Sequence, residues 1–329
     1  MSIGADVISI LLNGFQQGAI YVLLAVGLSL ILGTIKFVNF AHGALYIIGA
    51  YLGLYVAQQL ALSEGYLAEQ GVANIGLGGG FVVALLAVTV AVFVVGLLME
   101  HLVARKFYDR PDTDQILVTF GLAIIVQELI RWLFGSTSQP FAQPPWASGP
   151  VPIPGVAISE WRLWIIAITA VLVAIVYALV EFTDFGLVVR AGTEDPEMVS
   201  LLGIRLTRPY IVLFGIGAAL AGVAGVVGGP LSPINPTAGT DILVPAFVTV
   251  VIGGVGSIRG AVLGGLTLGM TQAILIQTGI PEVLFGIAMP SMLAGYNFAQ
   301  WSQVGIYAIA AIILLWRPEG LLGREVTGS

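Results

Sequence analysis

Long apolar runs dominate this chain, and short polar breaks set their rhythm. Runs near residues 5–33, 40–62, 78–101, 114–134, 161–182, 209–228, 242–256, 259–279 and 301–317 are almost continuous in Leu, Val, Ile, Ala and Gly. None alternates apolar and polar positions as a half-buried strand does, so the pattern predicts helices. A helix crosses a bilayer with roughly 20 mainly apolar residues, and lipid admits only helices or closed barrels as spanning structures. The run 242–256 is short and contains Pro245, Gly253 and Gly254, so it reads either as a crossing segment or as a broken, re-entrant one. The predicted fold is therefore all-α. It is a polytopic membrane bundle of about 8–9 transmembrane or re-entrant helices, forming one domain over residues 1–329.

Composition removes the alternatives. Of 329 residues, 58% are hydrophobic and 9% charged, with a mean hydropathy of +1.01. A soluble domain carries about 25% charged residues, so this chain could not cover a water-facing surface. The formal charge of −6 rests on few groups and gives no reason to expect a nucleic-acid partner. With no cysteine, disulfides, thiolate metal sites and cysteine nucleophiles are excluded. The first run is too long for a signal-peptide core and lacks a basic leader, so it is expected to be a mature first span.

Positive charge orients such a bundle. Lys36 follows the first run; Arg105, Lys106 and Arg110 follow the third. Arg190, Arg205 and Arg208 share one loop, Arg259 separates two late runs, and Arg317 and Arg324 lie in the tail. If nine runs cross from an outside N-terminus, these ten residues are all cytoplasmic, and only Arg131 and Arg162 stay outside. The loop 183–208 and the C-terminus are thus expected inside. The Pro-, Gly- and Ser-rich loop 135–160 has the composition of an ordered external connection. Internal repetition is faint: the stretches after Lys36 and Arg259 resemble each other mainly in glycine.

Few residues carry recognisable chemistry. The only lysines, Lys36 and Lys106, do not follow glycine, so the phosphate-binding loop G-x-x-x-x-G-K-[ST] is absent. "GVGSIRG" (254–260) has the wrong spacing for a dinucleotide site. His42 and His101 stand apart, and neither a metal site, a catalytic triad nor a cofactor is expected. Glu100 and Glu181 lie at span ends, where solvation is the ordinary explanation, as do Asp6 and Asp241. Glu128 is deeper, but Arg131 one turn on favours a structural ion pair over a transport role.

Glycine is ordered rather than scattered. Gly217, Ala221, Gly225 and Gly229 recur every fourth residue, as do Gly260 and Gly264, and Gly265 and Gly269. Such rows let helices approach closely in lipid, which predicts tight packing rather than contact with a solute. "VNFAHGALYIIG" (38–49) is polar at its start. Asn39 and His42 there are expected to face protein or a water-filled path, because an unpaired polar group in hydrocarbon costs several kcal/mol. A cap by Asn39 with a carbonyl bond from His42, and a lining of the solute path, both remain open. "GPLSPINPTAG" (229–239) reads as an external loop.

"RAGTEDPEMVSLLGI" (190–204) is the one strongly charged passage. Asp195 suits the helix cap, Pro196 the first helical position and Gly203 a left-handed close. The helix between them spans roughly 10 Å, too short to cross a bilayer. It places Met198, Leu201 and Leu202 on one face, with Glu194, Asp195 and Glu197 at its positive end.

Four stretches together carry a resemblance: "NFAHG" (39–43), residues 190–204, "GGVGSIRGAVLGGLTLG" (253–269) and "RPEGLLGR" (317–324). The chain resembles, in the same order from about residue 10 to residue 324, the LivH-type permease subunits of branched-chain amino acid ABC transporters. The resemblance implies a non-catalytic permease in the inner membrane and its lipid bilayer. It implies pairing with a second homologous permease, two cytoplasmic ABC ATPases and an extracytoplasmic solute-binding protein. It makes Arg190, Glu194, Asp195, Met198, Leu201, Leu202 and Gly203 candidates for coupling to the ATPase. Asn39 and His42 are path candidates; Gly217, Gly225, Gly229 and Gly264 are packing candidates. Gly192 and Glu197 depart from the cysteine and lysine common in such loops. Permeases for urea, short amides and other small neutral solutes share nearly this pattern. An ion-coupled carrier would need intramembrane acids that this chain lacks, and a passive channel would not need a protruding docking helix.

Overall fold

The computed structural model describes residues 3–60, 69–71, 76–151, 153, 158–276 and 302–323. The ends of the predicted runs at 61–62 and 277–279, residue 301, Arg324 and parts of the loop 135–160 lie outside the described residues. In chain order the α-helices are α1 (Ile3–Ile35), α2 (His42–Leu54), α3 (Gly76–Leu102), α4 (Asp112–Phe134), α5 (Trp161–Phe182) and α6 (Asp184–Glu194). They continue with α7 (Pro196–Leu201), α8 (Thr207–Gly228), α9 (Ala238–Gly253), α10 (Ile258–Ile276) and α11 (Ser302–Trp316). Among the described residues there is no strand, only two isolated bridges, Gln139 with Ile234 and Pro150 with Ser159.

Each predicted run contains a helix, but the helices differ in reach. Six of them (α1, α3, α4, α5, α8 and α10) are long and apolar enough to cross a membrane. At 1.5 Å per residue α1 is about 50 Å long, well beyond the roughly 30 Å hydrocarbon layer. It ends at Lys36, whose φ of 56° turns the chain back toward α2. α2 has 13 helical residues and continues as a π-helical turn, Tyr55–Gln59. α9 and α11 are also short, with 16 and 15 residues.

One point that the sequence left open is resolved here, and one expectation is corrected. Run 242–256 is helical as far as Gly253: α9 passes through Pro245 without interruption, and Thr249 Oγ1 donates to the Pro245 carbonyl at 2.8 Å. The helix also starts earlier, inside the stretch expected to be a loop. Asn235 Oδ1 accepts from the Thr237 backbone N–H at 2.9 Å and the Thr237 hydroxyl at 2.7 Å, forming the turn that launches it. Gly229–Leu231, in the same expected loop, is a 3-10 turn.

The core forms around α1 and α8, which are buried over most of their length. α10 packs along α1, α2 wedges against α8, and α3 covers the other side of α8. Glycine sets these distances. A Cβ on Gly225 would run into the Tyr46 carbonyl of α2, and one on Gly217 would lie 2.7 Å from the Gly27 carbonyl of α1. A Cβ on Gly264 would lie 2.5 Å from the Thr249 carbonyl of α9. Gly229 differs: it packs against the Phe141 ring of the connecting loop, not against a helix. By contrast α4 and α5 turn most of their circumference outward, with Leu117, Trp132 and Phe182 fully on the rim.

Two non-local docks complete the frame. Tail residues Leu321 and Leu322 donate their N–H groups to the Ile252 and Gly253 carbonyls at 2.7 and 3.0 Å. The tail therefore satisfies carbonyls that a helix end leaves without partners. Just after the 135–160 connection, Trp161 at the start of α5 is fully buried, and its indole N–H donates to the Val227 carbonyl at 3.1 Å.

Candidate coupling segment and solute groove

The charged passage folds as two helices where the sequence pattern showed one. α6 is capped by Thr183, whose hydroxyl accepts from the Gly186 N–H at 3.1 Å. It lies in the stretch 183–208, which the sequence pattern predicts as a loop. Arg190 turns back toward α5, where Nη1 donates to the Val180 and Glu181 carbonyls and lies 3.4 Å from Glu181 Oε2. A cation there complements the negative end of α5. Arg190 thus fixes the corner between α5 and α6.

α7 has the local chemistry its sequence encodes. Asp195 Oδ1 accepts from the Met198 N–H at 2.8 Å, Pro196 occupies the first position, and Gly203 adopts φ 80°. Gly203 and Ile204 then donate to the Ser200 and Val199 carbonyls at 2.9 and 3.3 Å. Only Val199 turns inward, at 5% exposure, while Met198, Leu201 and Leu202 are 54%, 77% and 71% exposed. Glu194, Asp195 and Glu197 lie on the exposed side of its beginning. Met198 and Leu201 of this six-residue helix and its C-terminal cap Leu202 thus leave three large apolar side chains outside, and a helix this short is marginal alone. Behind it, the Tyr210 hydroxyl donates to the Gly192 carbonyl at 3.3 Å, and Leu206 fills the space above Gly192. These contacts tie α6 to the start of α8.

Glu100 is not solvated at a span end as expected; it is fully buried. Arg105 Nε donates to its Oε1 at 3.1 Å and Nη2 to its Oε2 at 2.7 Å, while the Tyr108 hydroxyl donates to Oε1 at 2.9 Å. A buried carboxylate persists only when paired and hydrogen-bonded in this way. Burial, followed by the Glu100 charge, pushes the Tyr108 phenol well above its ordinary value, so it remains a donor. The charged spacing Glu100–Arg105 was the available signal, and Tyr108 was missed.

Asn39 and His42 are both fully buried. The residue that precedes α2 directly is Ala41, without a side-chain cap. Asn39 acts two residues upstream, where Oδ1 accepts from the Ala41 N–H at 3.0 Å. His42 Nε2 lies 3.1 Å from the Leu24 carbonyl of α1. Asn39 Nδ2 and His42 Nδ1 have no hydrogen-bond partner among the described residues. The turn itself is held by α4: Gln115 Oε1 accepts from the Val38 N–H at 2.9 Å and Thr119 Oγ1 from the Phe40 N–H at 3.0 Å. Sequence reading missed both, since polar positions in α4 resemble an exposed helix start.

The neighbours of these two residues face a narrow groove between α2, α4 and α9. Phe40, Gly43, Ile47, Phe120, Ala123 and Leu243 line it, around a space of about 20 Å³. Phe40 and Phe247 stack at 4.7 Å at one end. At the other, Thr240 donates to Gln127 Oε1 at 3.2 Å, joining α9 to α4. One turn further along α4, Arg131 and Glu128 pair at 2.7 Å, both partly exposed.

The model of the family described as "Branched-chain amino acid transport system / permease component" matches residues 10–314. The high-affinity branched-chain amino acid transport system permease protein LivH of Escherichia coli K12 is 29% identical over 323 residues. That alignment spans 95% of this chain and 94% of LivH. The corresponding protein BraD of Pseudomonas aeruginosa is 30% identical, over 95% of both chains. A probable LivH of Methanocaldococcus jannaschii is 26% identical over 92% of this chain and 89% of its own. No solved structure matches the chain.

Proposed function

We infer the function from one premise: this chain belongs to the family of permease components of branched-chain amino acid transport systems. It is a multi-pass membrane permease, and we propose that it serves an ABC importer for branched-chain, hydrophobic amino acids. The names of its full-length relatives support that substrate class. In this reading a second, homologous permease completes the pore, two ATPases dock on the cytoplasmic side, and a solute-binding protein delivers the amino acid outside. The chain itself is not catalytic.

The observation that carries the reading is the capped helix α7 with its apolar face turned outward. Met198, Leu201 and Leu202 act as anchors in a groove of the ATPase, the mode by which a short amphipathic helix is recognised. When ATP closes the ATPase pair, force on α7 passes through Gly192, Leu206 and Tyr210 to α8, the centre of the core. The groove between α2, α4 and α9 is then one wall of the path, and its lining residues Phe40 and Gly43 are the chain neighbours of Asn39 and His42. Its apolar lining suits an aliphatic side chain. An ion-coupled carrier is disfavoured because Glu100 and Glu128 are both bound by arginine.

Met198→Asp and Leu202→Asp test the coupling. Losing a buried anchor typically costs about 2 kcal/mol or more, roughly thirtyfold in affinity. ATP-driven leucine uptake and co-purification of the ATPase should both fall by that order, while the amount of folded permease stays constant. Variants that keep the ATPase bound and transport intact would remove α7 from the coupling role.

A further inference from the structure

Two arginines from different elements meet the C-terminal end of α5, and they are not equally used. Arg190 Nη1 donates to the Val180 and Glu181 carbonyls and lies 3.4 Å from Glu181 Oε2. Arg259, from α10, holds its guanidinium 5.2 Å from the centre of the Tyr177 ring, and Nη2 donates to the Tyr177 hydroxyl. A cation over an aromatic face is attracted by the ring. Arg259 has no ion pair, and its Nε and Nη1 have no hydrogen bond, among the described residues. Tyr177 therefore aims a guanidinium whose remaining edge is unused. Two guanidinium groups and the Glu181 carboxylate leave one net positive charge at this corner.

The surface beside them is built for hydrocarbon. Trp164, Val171, Ile175 and Phe182 lie on one face of α5 by helical spacing, and all four are exposed. Trp164 and Phe182 frame that face. At 1.5 Å per residue they stand roughly 27 Å apart, close to the thickness of a bilayer's apolar layer. Aromatic side chains gather at the two edges of that layer. The Tyr177 and Phe182 rings, 6.2 Å apart, thus mark one edge, and Arg259 and Arg190 stand beside it, where lipid phosphates lie.

We propose that this corner binds the phosphate of an anionic phospholipid, with its acyl chain lying along the exposed face of α5. The free edge of Arg259 takes the phosphate oxygens, the planar fork that suits such an anion, and Arg190 adds charge beside it. A phosphodiester carries one negative charge, which balances the one left positive by Arg190, Glu181 and Arg259. The apolar face of α5 is what favours a lipid over a free phosphate ion. Positive charge places this end of α5 on the cytoplasmic side, where the leaflet is rich in anionic lipid. A bound headgroup ties the start of α10 to the corner that Arg190 fixes between α5 and α6. Nothing in this depends on the transported solute, so its failure would leave the importer reading intact.

The test uses the complete transporter in detergent micelles that contain either dioleoyl phosphatidylglycerol or dioleoyl phosphatidylcholine. Native mass spectrometry measures the lipid that stays bound, and thermal unfolding reports whether it stabilises. Wild type should retain phosphatidylglycerol in preference to phosphatidylcholine and unfold at a higher temperature with it. Arg259→Gln should lower that retention on the order of tenfold, the effect of one charge-assisted contact. Its unfolding midpoint in phosphatidylcholine should equal that of wild type. Tyr177→Phe keeps the ring and every charge but removes the hydroxyl that aims Arg259, and it should lower retention about threefold. Arg131→Gln, at the opposite end of the bundle, should leave retention unchanged. Equal retention by wild type and either site variant would overturn the proposal. An equal loss in Arg131→Gln would overturn it too, because the response would then be to diffuse charge. Inorganic phosphate at millimolar concentration, added with phosphatidylcholine, separates the two sources of the anion. If it protected wild type as well as phosphatidylglycerol does, and failed to protect Arg259→Gln, the occupant would be free phosphate and the lipid proposal would fall.

Discussion

Asn39 and His42 each satisfy one polar atom and leave another buried with no partner among the described residues. An unsatisfied buried group costs about 1–3 kcal/mol, so such an arrangement persists where water or a passing solute supplies the missing bond. Their chain neighbours Phe40 and Gly43 line the groove. Replacing either by leucine removes the bond to the Ala41 N–H or to the Leu24 carbonyl, at about 1 kcal/mol each. Asn39→Leu and His42→Leu should slow leucine uptake several-fold more than they lower the amount of permease in the membrane. Normal uptake in both variants would leave these residues a purely structural role. Glu100 teaches a related lesson. From its place at a span end it reads as solvated, yet it is the fixed point for Arg105 and Tyr108.

At the scale of the element, glycine has two opposite meanings in this chain. On α8 it is a contact surface: a side chain on Gly225 would collide with the backbone of α2, and one on Gly222 would press on Val92 of α3. On α4, a Cβ on Gly121 would meet nothing within 4 Å. Forcing extra volume into a packed site costs about 1–3 kcal/mol, whereas Gly to Ala in an open helix gains about 0.5–1 kcal/mol. Thermal unfolding in detergent should therefore show Gly225→Ala clearly destabilised and Gly121→Ala unchanged or slightly stabilised. Equal midpoints for the two would contradict the packing of α8 against α2.

For the whole molecule, the distribution of positive charge predicts which side of the membrane each connection faces. Arg190, Arg205 and Arg208 cluster around α7, whereas the 135–160 connection has only Arg131 and Arg162 at its edges. The absence of native cysteine allows single cysteines to be placed without background. An impermeant thiol reagent added outside intact cells should label a cysteine at Ser138 and leave one at Asp195 unlabelled until the cells are opened. Labelling of position 195 from outside would invert the assignment and place α7 away from any ATPase.

The sequence by itself determined much of what depends on neighbours along the chain, although α6 with its Thr183 cap and the Asn235 turn before α9 lie in stretches that read as loops. Apolar runs longer than a bilayer's thickness specify membrane helices, and Asp195, Pro196 and Gly203 specify α7, because caps and turns bond within a few residues. The glycine rows likewise marked which helix faces pack closely, though not against what. Tertiary structure decided whatever needs a distant partner. The Asn39 turn is held by Gln115 and Thr119 from α4, the α9 carbonyls are met by Leu321 and Leu322, and Pro245 sits in an unbroken helix. The groove also belongs to this second class, since it is bounded by helices far apart in sequence. In hydrocarbon a backbone or charged group left unpaired is too costly to tolerate, and its partner is chosen by three-dimensional proximity. Periodicity along the chain carries no record of that choice.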